Sequence, residues 1–311
     1  MTSLICGSLA FDSIMLFGGR FSEALLADQL HQINVSFFVP EMRREFGGCA
    51  GNIAYNLKLL NGDPLIMATI GKDGGVYLER LEALGISTRA IRTVDSTFTA
   101  QAFITTDSGN NQITAFHPGA MTMSHLNKVA EAGPVKLAIV APDGRDGMLQ
   151  HAADCVALGI PFIFDPGQGL PMFNGQELEH FIDLASYVAV NDYEAALLME
   201  RTGLTLAHIT QRVNALIVTR GELGADIYVK GEHIAIPPVQ AEAVADPTGC
   251  GDAFRAGILY GLTNGLDWPT TGRLASLMGA IKIAHQGGQN HAPSREEIEE
   301  RFERAFGYRF S

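Results

Sequence analysis

Asp246-Pro247-Thr248-Gly249-Cys250-Gly251-Asp252-Ala253-Phe254-Arg255-Ala256-Gly257 puts small, flexible residues directly before an apolar run that continues through Ile258, Leu259 and Leu262. The run reads as a helix, and the glycines before it as a tight turn that leaves the backbone open to a ligand. Free amides at a helix start attract anions, phosphates included. Asp252 stands inside this anion cradle, where a carboxylate repels a phosphate. Two readings account for it. One is an acidic helix cap. The other is chemistry: Asp252 takes a proton from a substrate hydroxyl while the amides of Gly249, Cys250 and Gly251 hold a phosphoryl group in transfer.

The remaining bounds come from composition. The chain has 311 residues, 47% hydrophobic and 18% charged, with a net charge of −12. That length and apolar content predict a globular protein with a sizeable core. The acidic balance argues against nucleic acid as a partner, because phosphate backbones want a basic face. No apolar run approaches membrane-spanning length and no leader pattern opens the chain, so a cytoplasmic protein without a membrane partner is expected. The four cysteines, Cys6, Cys49, Cys155 and Cys250, have no C-x-x-C spacing, which argues against zinc or a disulfide framework. Cys6 and Cys155 read as buried, Cys49 and Cys250 as accessible thiols near a site. The histidines show no metal-ligand spacing.

Along the chain, Leu4 to Ala10 reads as a buried strand with Phe11-Asp12 at its end. Ile33 to Val39 is a β-rich run closed by Pro40. A second β-rich region spans Thr97 to Phe116, with a hairpin turn at Asp107-Ser108-Gly109-Asn110-Asn111. These two insertions, near 11–45 and 97–118, predict a small β-sheet standing apart as a lid on one domain covering 1–311. Phe46-Gly47-Gly48-Cys49-Ala50-Gly51-Asn52 leads into a helix ended by Asn61-Gly62. Apolar runs at Leu137–Val140, Pro161–Phe164, Tyr187–Val190 and Ala215–Val218 then alternate with helical segments, the pattern of a parallel sheet. Polar residues follow each run: Asp143, Asp165, Asn191 and Thr219. In open α/β sheets such ends share one ligand-binding crest. Asn191-Asp192-Tyr193-Glu194 reads as a capping box. Thr219 to Ala225 reads as a glycine turn between two strands. Arg295–Arg304 reads as a charged helix with apolar Ile298 and Phe302, its charges facing water.

D-P-T-G-C-G-D-A-F-R-A-G resembles the C-terminal signature of the ribokinase-like (PfkB) carbohydrate and nucleoside kinases. Gly47-Gly48 with Asn52, Ile70-Gly71-Lys72-Asp73, the N-x-x-E at Asn191 and the T-x-G-x-x-G at Thr219 resemble its other motifs, in order, over nearly the whole chain. Cys250 departs from the alanine common there. The resemblance implies an α/β ribokinase-like fold with a mostly parallel central sheet flanked by helices. It implies Asp252 as general base and an anion hole from the glycine-rich amides. It places sugar hydroxyls on Asp12, Gly47, Gly48 and Asn52, and ATP along Asn191, Thr219, Gly221 and Gly224. Mg²⁺ is implied at Glu194 through water, and K⁺ near Asp246. P-loop and Rossmann glycine patterns are absent.

Within the family, the segments Gly19–Leu26, Leu30–Phe37 and Gln112–Met121 resemble bacterial adenosine kinases and related purine nucleoside kinases. By that resemblance Phe116 stacks on a base, and Ser36, Gln112 and Gln168 offer polar contacts. Ala102 stands where some relatives have an aromatic, implying room for inosine and guanosine beside adenosine. The expected activity is ATP-dependent phosphorylation of a nucleoside 5′-hydroxyl. The alternatives are a sugar kinase of the same family, with Arg43 and Arg44 available to a sugar phosphate, and a non-catalytic nucleoside-binding protein. An exposed lid edge predicts a homodimer.

Overall fold

Leu4 and Ile5 are both fully buried yet belong to cores on opposite faces of one sheet. Side chains alternate along a strand, so a strand apolar on both faces demands a covering layer on each. The computed structural model, which describes residues 1–24 and 35–310, supplies those layers.

The chain runs through β1 (Thr2–Cys6), β2 (Ala10–Leu16), α1 (Phe21–Ala24), β3 (Glu41–Gly47), α2 (Cys49–Leu59), β4 (Asp63–Gly71) and α3 (Gly75–Ala83). Next come β5 (Ile91–Val94), β6 (Ala100–Thr106), β7 (Gln112–His117), β8 (Leu137–Val140), α4 (Arg145–Ala157) and β9 (Phe162–Phe164). Then follow α5 (Gly175–Leu184), β10 (Tyr187–Asn191), α6 (Asp192–Thr202), α7 (Leu206–Arg212), β11 (Ala215–Thr219), β12 (Ala225–Val229) and β13 (Glu232–Ile236). Three helices close it: α8 (Cys250–Asn264), α9 (Trp268–Ile283) and α10 (Arg295–Phe306).

A nine-stranded sheet has the order β13-β12-β11-β10-β9-β8-β1-β4-β5. It is parallel except at the β11–β12–β13 end, where the Thr219–Ala225 turn makes a hairpin as expected. From β1 the chain winds one way to β4 and β5 and later the other way from β8 through β11. The strand order therefore reverses between β1 and β8, the place where such sheets open a crevice at their carboxyl ends. Among the described residues no helix is long and apolar enough to cross a membrane.

The separate small sheet is present, with the order β3-β2-β6-β7. Its hairpin turn is fastened by Asp107, whose Oδ1 accepts from the amides of Gly109 and Asn111 at 2.8 Å. The amide of Phe21, Asn111 and these turn amides hold the Asp107 carboxyl down at about 2.

Two strand boundaries differ from expectation. The first strand stops at Cys6, and Ala10 onward belongs to the small sheet, so Asp12 lies within β2 rather than at the end of β1. Gly7 marks the break: a Cβ there would press Ala50 and Ala141 at 3.2 Å. Of the run Ile33–Val39, the described part, Val35–Val39, forms no strand; Ile33 and Asn34 lie outside the described residues, as do Leu30–Gln32 and Leu25–Leu26. Phe37 instead packs against Phe17 and Phe21, and pairing begins at Glu41, after Pro40, which cannot donate to a ladder.

Helix α8 is buried against α9 through a glycine. A Cβ on Gly257 would lie 2.4 Å from the Cα of Ala275, a backbone atom that cannot swing aside. Gly257→Val is expected to destabilise the protein by about 1–3 kcal/mol or more, the usual cost of overpacking. A urea midpoint unchanged from wild type would contradict this packing.

Candidate functional site

Two cavities open at the crest and meet at the head of α8. The first, of about 640 Å³, lies at the β1/β8 switch point and is lined by Ser8 from β1's end and Pro142 and Asp143 from β8's. Asp12, Ala102, Ile104 and Phe116 of the small sheet form its outer wall. Gly249, Gly251 and Asp252 form its floor. The second, of about 570 Å³, lies on the other side of the same turn, between Thr219, Gly221 and Gly224, the 238–241 segment, and Cys250 and Gly251. Gly251 borders both.

The turn is built by Gly249, left-handed at φ 79°, the N-cap of α8. Its amide has no partner among the described residues, whereas the amide of Cys250 donates to Pro247 O at 3.1 Å to close the turn. Cys250 therefore contributes less to an anion hole than the sequence implied, and its thiol is half-buried. Gly251 has open space around its Cα.

Asp252 is held from α2. Asn52 Nδ2 donates to Asp252 Oδ2 at 2.8 Å, and Asn52 Oδ1 accepts from Gln289 Nε2 at 3.1 Å. Gln289 is itself 2.7 Å from the Tyr77 hydroxyl, which donates to Gly47 O at 2.8 Å. One turn below Asp252, Arg255 forms a buried two-pronged pair with Asp165 at 3.1 and 3.2 Å. Exclusion of water pushes the Asp252 carboxyl up to about 7; the Asn52 hydrogen bond opposes this, Asp165 adds to it and Arg255 opposes it. A carboxyl poised near neutrality is what a general base needs.

Asp12 sits above this floor, opposite Ala102 in register and one cross-strand pair from Phe116. Burial, then Asp246 and Glu45, push its carboxyl up to about 6. Gly48, at φ 86°, opens α2 where a Cβ would strike Ser8 O at 2.5 Å. Ser8 answers the first turn of α2, its Oγ and O accepting from the amides of Cys49 and Ala50. Gly47 does not line the cavity; its Cα backs the Asp12 carboxylate, which a Cβ would meet at 2.6 Å. Gln168 lines the cavity beside Cys49, 3.5 Å from its sulfur. Cys49 also lines the cavity but is mostly buried, and burial raises its thiol well above the ordinary range.

Ser36 and Gln112 are not brought to the cavity. Ser36 is exposed in the loop before β3. Gln112 pairs with Thr106 at the far end of the hairpin, four residues along β7 from Phe116, or about 13 Å at strand rise. Arg43 and Arg44 are also turned away: Arg44 stacks 3.6 Å over Phe11 and bonds Asp73, and Arg43 pairs with Glu45 and Gln286.

At the end of β10, Asn191 and Glu194 form the reciprocal capping box that the sequence predicts, with bonds of 2.7 and 2.8 Å. Neither lines the second cavity. Burial raises the Glu194 carboxyl, and Arg255 beside it opposes the shift. Only one Glu194 oxygen is spent in the cap. No group of three metal-binding side chains exists among the described residues, so direct protein coordination of Mg²⁺ does not fit, whereas one carboxylate oxygen holding water of a hydrated ion does. Where the resemblance implies potassium, the carbonyls of Asp246 and His285 are already taken by Lys282 Nζ at 2.6 and 3.0 Å.

Sequence reasoning missed Arg255, Gln289 and Lys282 as supports; it placed Asp143 and Asp165 on the ligand-binding crest, where Asp143 lines the first cavity, but not the pairing of Asp165 with Arg255. Arg255 lay inside the opening motif, and Gln289 follows the Gly287-Gly288 pair; neither carried a signal of its partner. Asp143 is buried, bonds Gly144 N at 2.8 Å, and is pushed by burial to about 8. Burial favours its protonated form, which can donate.

The profile of the pfkB family carbohydrate kinases matches residues 14–295. The nucleoside kinase of Burkholderia thailandensis, solved in complex with inosine, is 60% identical, with a TM-score of 0.90 and 99% of each chain covered. The same protein with ADP-inosine superposes with a TM-score of 0.88, covering 99% of this chain and 97% of that one. The nucleoside kinase of Methanocaldococcus jannaschii is 30% identical over 87% of this chain and 90% of its own. The architecture is the ribokinase-like fold.

Because Asn52 lowers the Asp252 pKa, Asn52→Leu is expected to move its titration above the wild-type value of about 7. Carboxyl-carbon NMR of both proteins measures it. Titration of Asp252 near 4, the unperturbed range, would contradict the geometry.

Proposed function

Given that the chain belongs to the pfkB family of carbohydrate kinases, we propose that it transfers the γ-phosphoryl group of ATP to the 5′-hydroxyl of a purine nucleoside. The observation that carries this reading is the meeting of two cavities at Gly251, with Asp252, the next residue, lining the first of them. The nucleoside occupies the first cavity and ATP the second.

The ribose hydroxyls lie on Asp12 and the Gly48 backbone, with Asn52 within reach of both ribose and base carboxylate. Ile104, Phe116, Met121 and Met172 give the cavity an apolar end. A free sugar has no flat apolar face to cover such a wall; a purine has, and stacks on Phe116 whatever its substituents. Asp143 and Gln168 offer polar groups to the base edge. The small side chain of Ala102 leaves room for inosine and guanosine beside adenosine. A sugar-phosphate substrate loses support because Arg43 and Arg44 are paired elsewhere.

Asp252 accepts the hydroxyl proton as the oxygen attacks the γ-phosphorus, and the bond from phosphorus to the bridging oxygen of ADP breaks. The amides of Gly249 and Gly251, with α8 behind them, meet the charge on the transferred group. Magnesium bound with the nucleotide would neutralise phosphate charge, and Glu194 would hold it through water. Alignment and electrostatics carry phosphoryl transfer, so the reaction requires no covalent nucleophile. Closing of the small sheet over the ribose keeps water from the phosphoryl group. The outer face of that sheet exposes Met42, Phe103 and Ile113, and a homodimer that covers them is the expected assembly.

Asp252→Asn is expected to lower kcat by about 10²–10⁴-fold, the scale of a general base, with the fold retained. Near-native turnover in that variant would remove Asp252 from the chemistry. Asp12→Ala is expected to raise KM for nucleoside far more than for ATP, and equal effects on both would misplace the ribose. Because Asp252 works only deprotonated, kcat/KM is expected to rise with pH through about 7. Below that point it falls about tenfold per pH unit, more steeply once Asp12 gains its proton. A flat profile between pH 5 and 8 would oppose the assignment. ATP consumption across a panel of nucleosides and free sugars tests the substrate class, and turnover of sugars alone would overturn it.

A further inference from the structure

Lys282, in the last turn of α9, is fully buried. A buried ammonium is costly unless its surroundings compensate it. No carboxylate side chain bonds it. Its Nζ donates instead to two main-chain carbonyls, Asp246 O at 2.6 Å and His285 O at 3.0 Å. One carbonyl belongs to the loop that opens α8 and the other to the turn that follows α9.

The same two segments are tied by everything around Lys282. The amides of Ala245 and Asp246 donate to Ile283 O at 2.8 and 3.2 Å. The Asp246 carboxylate accepts from Thr248 N and Gly287 N, each at 2.8 Å. Gly249 passes close over Gly288, with only 3.2 Å between a built Cβ and the Gly288 Cα. The loop that carries the Gly249–Gly251 amides is therefore hung on the end of α9, and Lys282 is the positive charge at the joint. Burial lowers its pKa, while Cys250, Asp246 and Asp252 hold the proton on. Converging backbone carbonyls are how proteins hold a monovalent cation stripped of water.

We propose that the Lys282 ammonium is a built-in monovalent cation that holds the 246–251 loop in its working shape, so that this protein needs no potassium ion there. Lys282 is then a positioning residue: it touches neither substrate and acts through the loop's carbonyls. The potassium implied near Asp246 by family resemblance is replaced by a side chain of the protein. This rests on the kinase reading for its consequence, but not for its cation chemistry.

The test has two arms. In the first, wild-type protein is compared in potassium chloride and tetramethylammonium chloride at equal ionic strength, by turnover and by thermal melting. A specific ion bound to the folded state raises Tm. We expect no potassium-specific rise, and turnover that differs by less than about fivefold, the lower edge of ordinary effector coupling. A potassium-specific rise in Tm, or stimulation of about fivefold or more, overturns the proposal. In the second arm, Lys282→Ala opens the ammonium's place. We expect kcat to fall by about 10²-fold through misplaced amides, nucleoside KM to change little, and potassium or ethylammonium, but not tetramethylammonium, to restore turnover. Wild-type turnover without any added cation, or a loss that no cation restores, overturns it. Should Lys282→Ala fail to fold, the wild-type arm decides. Absence of ATP consumption with every nucleoside and sugar would sink the kinase reading alone, and the melting comparison would still test the cation.

Discussion

One hydrogen bond, from Asn52 Nδ2 to Asp252 Oδ2 at 2.8 Å, joins the two halves of this site. Asn52 stands on α2, close to the start of the chain, and Asp252 on α8, near its end. The bond aims the carboxyl along the cavity floor and opposes the pull of burial toward the protonated state. The field around it is arranged from both ends: Gln289 fixes the amide of Asn52, and the Arg255–Asp165 pair sets a buried positive charge one turn deeper. Removing one member of such a pair strands a buried charge, at a cost of about 3–5 kcal/mol. The pair therefore resists drift of α8 relative to β9, whose end carries Asp165.

The site follows from the sheet. Strand order reverses between β1 and β8, and the first cavity stands over that reversal. Chain connectivity thus decides where a ligand can enter, and the small sheet, leaving β1 by way of Gly7, supplies the wall the open crevice lacks. The head of α8 points its amides into the seam between the two cavities. The Asp252 carboxylate lines the first cavity beside that seam, the position that the proposed proton transfer requires.

The parts legible in sequence were those whose partners are neighbours in the chain. Gly249, Gly251 and Asp252 fall within four residues, and Asn191 and Glu194 within one helical turn, so turn and cap could be read directly. The α/β class followed from apolar runs spaced by helices. Register and long-range pairing were not legible. Nothing in Gln112 itself says that it pairs with Thr106 at the hairpin's outer end. Nothing in Arg255 names Asp165, ninety residues earlier, and Lys282 looks like any lysine near a helix end until its carbonyl partners are seen. The break of the first strand at Cys6 was hidden because Leu9 and Ala10 are as apolar as the strand before them.

The central claim is geometric: a half-buried carboxyl waits between a nucleoside alcohol and a phosphate held by backbone amides. A crystal structure of the protein with a purine nucleoside and a non-transferable ATP analogue measures it. The account predicts an Asp252 carboxylate oxygen about 2.6–3.2 Å from the 5′-oxygen, with the terminal phosphate over the Gly249–Gly251 turn. A 5′-oxygen farther from Asp252 than a single bridging water can span, or a carboxylate turned out of the cavity, would contradict it.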